Sequence, residues 1–328
     1  MLNILFMGTP DFAKESLECL YNAKYNILGV VTNVDKPKGR GMKMVYTPVK
    51  EYAIEKNIPV YQPEKVRNNT EFIEKMKSLN PDVICVVAYG KILPKEILDI
   101  PKYGCINVHA SLLPKYRGAA PIQWAVLNGD EETGVSTMYM DVGMDTGDII
   151  ETEKCKIGDE ETTGQLWEKL SVIGAKLLVD TLDKIEKGKV KRIKQGDNFS
   201  MAPMLNKEMA KINWEEYNAK KIHNLVRGLN PIMGAYSILN GKKIKFWKVK
   251  VRDEDYLLHL FPDLEDYLFK LKDVMPGTVL FVDDKNGLYI KANEGIIEVE
   301  EIQGENARRM NILDFLRGNS IMAGEFFE

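Results

Sequence analysis

The chain is poor in the residues that usually announce a metal centre or a cross-linked fold. Among 328 residues there are three histidines, His109, His223 and His259, and four cysteines, Cys19, Cys85, Cys105 and Cys155. No CxxC pair or His-rich run accompanies them, so neither a zinc site nor a disulfide framework is implied and no metal is expected. Three of the cysteines lie in or beside apolar, strand-like runs, as reduced packing residues do. No stretch approaches the ~18 apolar residues that span a bilayer, and the opening MLNILFMGTPDF lacks a basic head and a small-residue cleavage site. No membrane partner is expected, and a cytoplasmic location is. A formal charge of −3 argues against a protein that coats nucleic acid over its whole surface. The first strand-to-helix turn, GTPDF, also lacks GxGxxG, and Pro10 and Phe12 occupy the space a pyrophosphate would need. A dinucleotide-dependent dehydrogenase is therefore disfavoured.

What the chain does have is a parallel α/β rhythm. NILFM, NILGVVT and DVICVVAYG are short apolar runs, and DFAKESLECLYN and EFIEKMKSLN between them are amphipathic. Near-continuous Ile/Val strands separated by helices imply a sheet buried on both faces, with ligands at its C-terminal edge. VSTMYMD and DIIETEKCKI read as two further strands, and TTGQLWEKLSVIGAKLLVDTLDKIEKG as a long helix with Leu166, Leu170, Ile173, Leu177 and Leu178 on one stripe.

The character then changes. Residues 189–206 are irregular and polar and read as a linker. LNGKK is a hairpin signal at Asn240 and Gly241, and GTVLFVDD, GLYIKAN and GIIEVEEIQ read as strands separated by turns. The expectation is a Rossmann-like α/β domain over 1–188 and a smaller OB-like β-barrel over 207–328. Phe246 and Trp247, set among lysines in GKKIKFWKVKVR, are the kind of side chain such a barrel would offer nucleic acid, but for either one packing in the core is the first expectation.

The most suggestive chemistry lies in CINVHASLLPKYRGAAP, 105–121. Asn107 and His109 are two residues apart at the end of a strand, so an amide and an imidazole project from one face. That is how a carbonyl-polarising pair would be laid out. MDVGMDTGD downstream supplies Asp141, Asp145 and Asp148, with Gly143 and Gly147 to let the loop turn sharply. Any of the three acids would serve to orient the imidazole. KPKGRGMK, 36–43, is a one-signed basic run of the kind phosphate backbones select, though such runs are also ordinary solvated faces.

Taken together, GTPDF, DKPKGRGMK, NVHASLLPKYRGAAPIQWAVLNGD and MDVGMDTGD resemble the methionyl-tRNA formyltransferase branch of the folate-dependent formyltransferase family, over nearly the whole chain. The resemblance implies 10-formyltetrahydrofolate as donor co-substrate and the α-amine of initiator methionyl-tRNA as acceptor, the product being N-formylmethionyl-tRNA for translation initiation. It carries the catalytic roles onto Asn107, His109 and Asp145. It carries folate binding onto Ser111, Leu112, Leu113 and Pro114, and the loop engaging the tRNA acceptor stem onto 34–46, with Lys36, Lys38, Arg40 and Lys43. Tyr89, Lys91 and Ile92, in YGKILP after an apolar strand, are expected to wall the pterin pocket. Arg117 and Lys115 are candidates for the folate glutamate tail or a tRNA phosphate. Asp141 and Asp148 end and begin strands, where turn and capping duty explains them, which leaves Asp145. A monomer suffices.

One stretch departs from the pattern. Residues 253–273, DEDYLLHLFPDLEDYLFKLKD, are longer and more acidic than the family leads one to expect, and their apolar residues suggest a small helical cap. Rivals with the same chemistry would formylate glycinamide ribonucleotide or a nucleotide-linked amino sugar, or hydrolyse the formyl donor. A rival of another class is a tRNA-binding protein with a disabled α/β domain, against which the intact trio argues.

Overall fold

The computed structural model describes residues 1–38, 43–262 and 274–328. They divide into two compact units. The first holds a seven-stranded sheet in the order β5-β2-β1-β6-β7-β8-β9, made of β1 (Asn3–Gly8), β2 (Asn26–Val31), β5 (Val60–Tyr61), β6 (Val83–Val87), β7 (Cys105–His109), β8 (Glu132–Tyr139) and β9 (Ile149–Lys156). The first five run parallel; β8 pairs antiparallel with β7, and β9 antiparallel with β8. Two short strands outside this sheet, β3 (Lys36–Lys38) and β4 (Lys43–Val45), pair as a ribbon.

The central strands are Val/Ile/Leu runs because both faces are covered. Leu5, Met7, Ile84 and Val86 pack on one side with Phe72, Ile73 and Met76 of α3 (Thr70–Ser78). On the other side lies α6 (Thr163–Glu186), so close that a Cβ on Gly174 would sit 3.0 Å from Val108. Trp167 of this helix meets Phe12 of α1 (Asp11–Asn22) edge to face at 5.3 Å. Alternation along β7 then fixes the functional face. Val108 points to α6, and Cys105, packed with Ile84 and Val86, marks the opposite side, which Asn107 and His109 share by the two-residue period.

Connectivity decides where a ligand belongs. From β1 the chain steps to β2 on one side and, after β5, returns to β6 on the other. A crevice opens at such a reversal beyond the strand C-termini. The ends of β1, β6 and β7, at Gly8, Val87 and His109, line up there.

In the second unit an antiparallel sheet runs β10-β11-β14-β13-β12, built from β10 (Ala235–Leu239), β11 (Lys242–Arg252), β12 (Val279–Asp283), β13 (Gly287–Lys291) and β14 (Ile296–Gln303), with α7 (Ala219–Gly228) packed on β11 and β14. Asn240 and Gly241 both adopt positive φ, as the tight hairpin requires. The last residues close the sheet. Leu239 bridges Phe327, Thr278 bridges Phe326, and Val279 donates to the Glu325 carbonyl, so the C-terminus joins the two edge strands.

Two readings left open by the sequence are decided here. Phe246 and Trp247 are buried, Phe246 among Trp214 and Phe327, so they form core and no stacking platform. The basic strand β11 is also partly neutralised, since Lys248 and Lys250 pair with Glu300, and Arg252 with Glu298, on the adjacent β14. The acidic stretch begins as a short helix, Glu254–Leu260, whose Leu257 packs on Leu280, Tyr289 and Ile296. Leu264, Leu268 and Phe269 fall outside the described residues.

Candidate active site

His109 ends β7 and is 6% exposed. Its Nε2 lies 2.9 Å from the carbonyl of Tyr116. A carbonyl only accepts, so Nε2 carries the hydrogen and Nδ1 is the edge left for chemistry. That edge faces Asp145, with Nδ1 to Oδ2 at 3.6 Å. The gap is longer than a direct hydrogen bond and short enough for a proton to pass after a small shift.

The carboxylate is held in turn. Gly118 N donates to Asp145 Oδ2 at 2.8 Å. Asp145 itself sits at φ +53, in the left-handed region that glycine, asparagine and aspartate adopt more readily than other residues. The other two acids have different work. Asp141 Oδ1 accepts from Gly143 N and Thr146 Oγ1, closing the turn, and Asp148 directly precedes β9, its carbonyl accepting from Tyr139 N. Asn107 is half-buried, and among the described residues nothing hydrogen-bonds its side-chain amide. A free donor beside an anchored imidazole and acid is what a reaction that builds charge on a carbonyl oxygen needs.

Comparison with known proteins bears on what that reaction is. A family described as "Formyl transferase" matches residues 2–182, and "Formyl transferase, C-terminal domain" matches 204–320. A protein of Clostridioides difficile named methionyl-tRNA formyltransferase is 50% identical over 98% of this chain and 99% of its own length. One of the same name from Clostridium novyi is 48% identical over 98% of each. The chain belongs to the methionyl-tRNA formyltransferase family. Among solved structures, an N-formyltransferase of Helicobacter canadensis shares the fold at a TM-score of 0.62 and 21% identity, over 91% of this chain and 99% of that one. HypX of Aquifex aeolicus, solved with tetrahydrofolic acid, gives 0.61 and 15%; this chain spans about half of it (51%).

For a member of this family the remaining expected site residues fall into two groups. Ser111, Leu112, Leu113 and Pro114 follow β7 directly. Ser111 Oγ donates to the Lys115 carbonyl, and Ser136 Oγ accepts from Leu113 N while donating to the Ser111 carbonyl, so the two serines fix the shape of this turn. Leu113 packs with Met138 and Ile149. Tyr89, after β6, is 1% exposed; burial pushes its phenol up to about 12, and its hydroxyl finds no partner among the described residues. Lys91 donates its ammonium to the Pro63 and Glu64 carbonyls, so it ties the loop down, and Ile92 is 64% exposed. Asn33 bonds Thr9 Oγ1 and the Tyr89 carbonyl, tying the ends of β1 and β6 together.

Lys36 and Lys38 lie on β3 and Lys43 on β4, with Lys38 opposite Lys43 in the backbone register. Arg40 lies outside the described residues.

The stretch expected as a linker behaves differently. Arg117 N donates to the Ser200 carbonyl, Ala202 N to the Arg117 carbonyl, and Ser200 Oγ accepts from Tyr116 N. Gln195 Oε1 accepts from Arg117 Nε and Nη2 at 2.9 and 2.7 Å, while its Nε2 donates to the carbonyls of Asp145 and Gly147. Residues 165–204 belong to the first unit, whereas 123–131 and 158–164 belong to the second. Arg117 is 8% exposed and stacks on Phe199, so it ties these segments together. Gln195, Ser136, Gly118 and Ser200 were not legible as site residues, because a polar irregular run carries no periodicity to point with.

Proposed function

We propose that this chain transfers the formyl group of 10-formyltetrahydrofolate to the α-amine of initiator methionyl-tRNA, with Asn107, His109 and Asp145 as its catalytic groups. Membership of the family over the full length supports the reaction. The residue roles rest on one observation: an imidazole anchored through Nε2 whose free edge faces a backbone-anchored carboxylate, beside an unpartnered amide on the same strand face.

The folate supplies a formyl carbon whose oxygen becomes negative as the amine nitrogen bonds to it. The residues after β6 suit a planar ring. Ala88 and Gly90 both have positive φ, and nothing lies within 4 Å of a Cβ built on Gly90, so backbone groups there are open to a ligand edge. Asn107 Nδ2 donates to the developing oxyanion, and His109, when protonated on Nδ1, adds a second donor. Losing one such donor costs about 3 kcal/mol of barrier. Asp145, directly or through one water, receives the proton the amine sheds and returns it to the folate nitrogen as the old C–N bond breaks. Lys36, Lys38, Arg40 and Lys43 meet acceptor-stem phosphates, and the enzyme works as a cytoplasmic monomer. Among the described residues no helix is long and apolar enough to cross a membrane.

Product analysis tests the reading. The purified chain with 10-formyltetrahydrofolate is offered methionyl initiator tRNA, glycinamide ribonucleotide and a nucleotide-linked amino sugar. Formylmethionyl-tRNA is expected; formylation of either small amine in its place, or release of free formate alone, overturns it. Binding of the tRNA should weaken steeply with salt, less so in Arg40→Ala.

A further inference from the structure

We propose that Gln195 is the positioning residue of the His109–Asp145 pair, acting through the loop that carries the carboxylate. The proposal rests on the reading of Asp145 as a catalytic group. Gln195 adds a second link between two segments that the Gly118 N to Asp145 carboxylate bond also joins. Its Oε1 takes two hydrogen bonds from Arg117, and its Nε2 gives one to the Asp145 carbonyl at 2.9 Å and one to the Gly147 carbonyl at 2.7 Å. Only one amide orientation satisfies this arrangement, because a guanidinium only donates and a carbonyl only accepts.

The chemistry of the choice is informative. A buried arginine is ordinarily best served by a carboxylate, and Arg117 has a neutral amide instead. What glutamine offers and glutamate lacks is a donor on the far side, aimed at the catalytic loop. That loop needs holding. Asp145 is left-handed at φ +53, a conformation aspartate tolerates at a higher cost than glycine, so contacts to its backbone help to keep it there. Gly147 approaches so closely that a Cβ there would lie 1.8 Å from the Tyr139 carbonyl. Gln195 straddles both residues by their carbonyls, while Gly118 N holds the carboxylate from the other end. Gly118 adjoins Arg117 in sequence, so one peptide anchors both the acid and the amide that clamps its backbone.

The discriminating variant is Gln195→Glu, which keeps the acceptor for Arg117 and removes both donors to the loop. Its melting temperature should stay close to wild type while kcat falls about a hundredfold, the effect of an ångström-scale misplacement, with KM for tRNA and folate within about threefold. The same substitution made in Asp145→Asn should cost less than about twofold, because a residue acting through Asp145 has nothing left to position. Wild-type turnover in Gln195→Glu, an undiminished loss in the Asp145→Asn background, or a large fall in melting temperature of Gln195→Glu would each overturn the proposal. Asp145→Asn measured alone keeps the two claims separable: full activity there sinks the catalytic reading, whereas a severe loss there beside an unaffected Gln195→Glu sinks only the clamp.

Discussion

His109 and His223 are both buried and both face a carboxylate, His109 through Nδ1 at 3.6 Å from Asp145 and His223 through Nε2 at 3.3 Å from Glu160. Distance does not separate them; anchoring does. The second nitrogen of His109 is tied to the Tyr116 carbonyl, and Asp145 is tied by Gly118 N and is 17% exposed. The second nitrogen of His223 is buried with no partner among the described residues, and its acid is 57% exposed. His223 lies on α7 among groups that serve packing. Arg227 on the same helix bonds Asn224 and the carbonyls of Gly158 and Glu161. His109 instead ends a central strand beside the sheet's reversal of order, next to Asn107, whose amide has no partner among the described residues. A histidine and an acid in proximity become a candidate catalytic pair only when both are oriented and an open donor shares their face.

Substitutions sharpen this contrast, beginning with the acids. Asp145→Asn or His109→Ala should lower turnover by about two to three decades, with tRNA affinity within a few-fold, whereas Glu160→Gln should stay near wild type. Equal losses from the two acids would erase the distinction. Asn107→Ala is expected to lose about two decades of kcat with little change in melting temperature, since its amide holds nothing else in place. Gly118→Ala attacks the anchor. Gly118 has φ +125, and the added methyl would lie 2.7 Å from the Ala202 carbonyl, so about 2 kcal/mol of stability should be lost together with activity; chemical denaturation and turnover read the two.

The smallest effect belongs to His223. Burial lowers its pKa below the ordinary 6.5, outweighing Glu160 and aided by Arg227 and Lys220. Between the two values the unfolded chain binds a proton that the folded chain refuses. Its contribution to stability is therefore complete above about 6.5 and is lost as pH falls toward the depressed value. His223→Gln should flatten the loss of stability between neutral and mildly acidic pH, measured as urea midpoints; an unchanged slope would show that His223 does not set it.

Much of this was legible in the chain. Val/Ile runs such as Val83–Val87 read as strands because a parallel sheet covered on both faces leaves no polar alternation. LNGKK read as a turn because Asn240 and Gly241 tolerate positive φ. Asn107 and His109 read as one face because strand period is two, and Asp145 stood out because turn geometry accounts for Asp141 and Asp148. Phe246 and Trp247 stayed between two readings, since lysines on either side of a core aromatic look the same in sequence as lysines around an exposed one. The linker misled: nothing in KQGDNFSMAP reveals that Gln195, Phe199 and Ser200 pack on 116–118 and 145–147.

By itself the sequence determined the strands, the helices, the tight turns and which side chains share a strand face, because these depend on backbone preferences and periods spanning a few residues. Only the tertiary structure decided which nitrogen of His109 is free, that it faces the Asp145 carboxylate, that Gln195 stands behind that acid, and that residues 324–328 close the second sheet. Those outcomes depend on groups 7 to 91 positions apart coming into contact. Such contacts are selected by the shape and charge of the assembled surfaces, which no local pattern in the chain encodes.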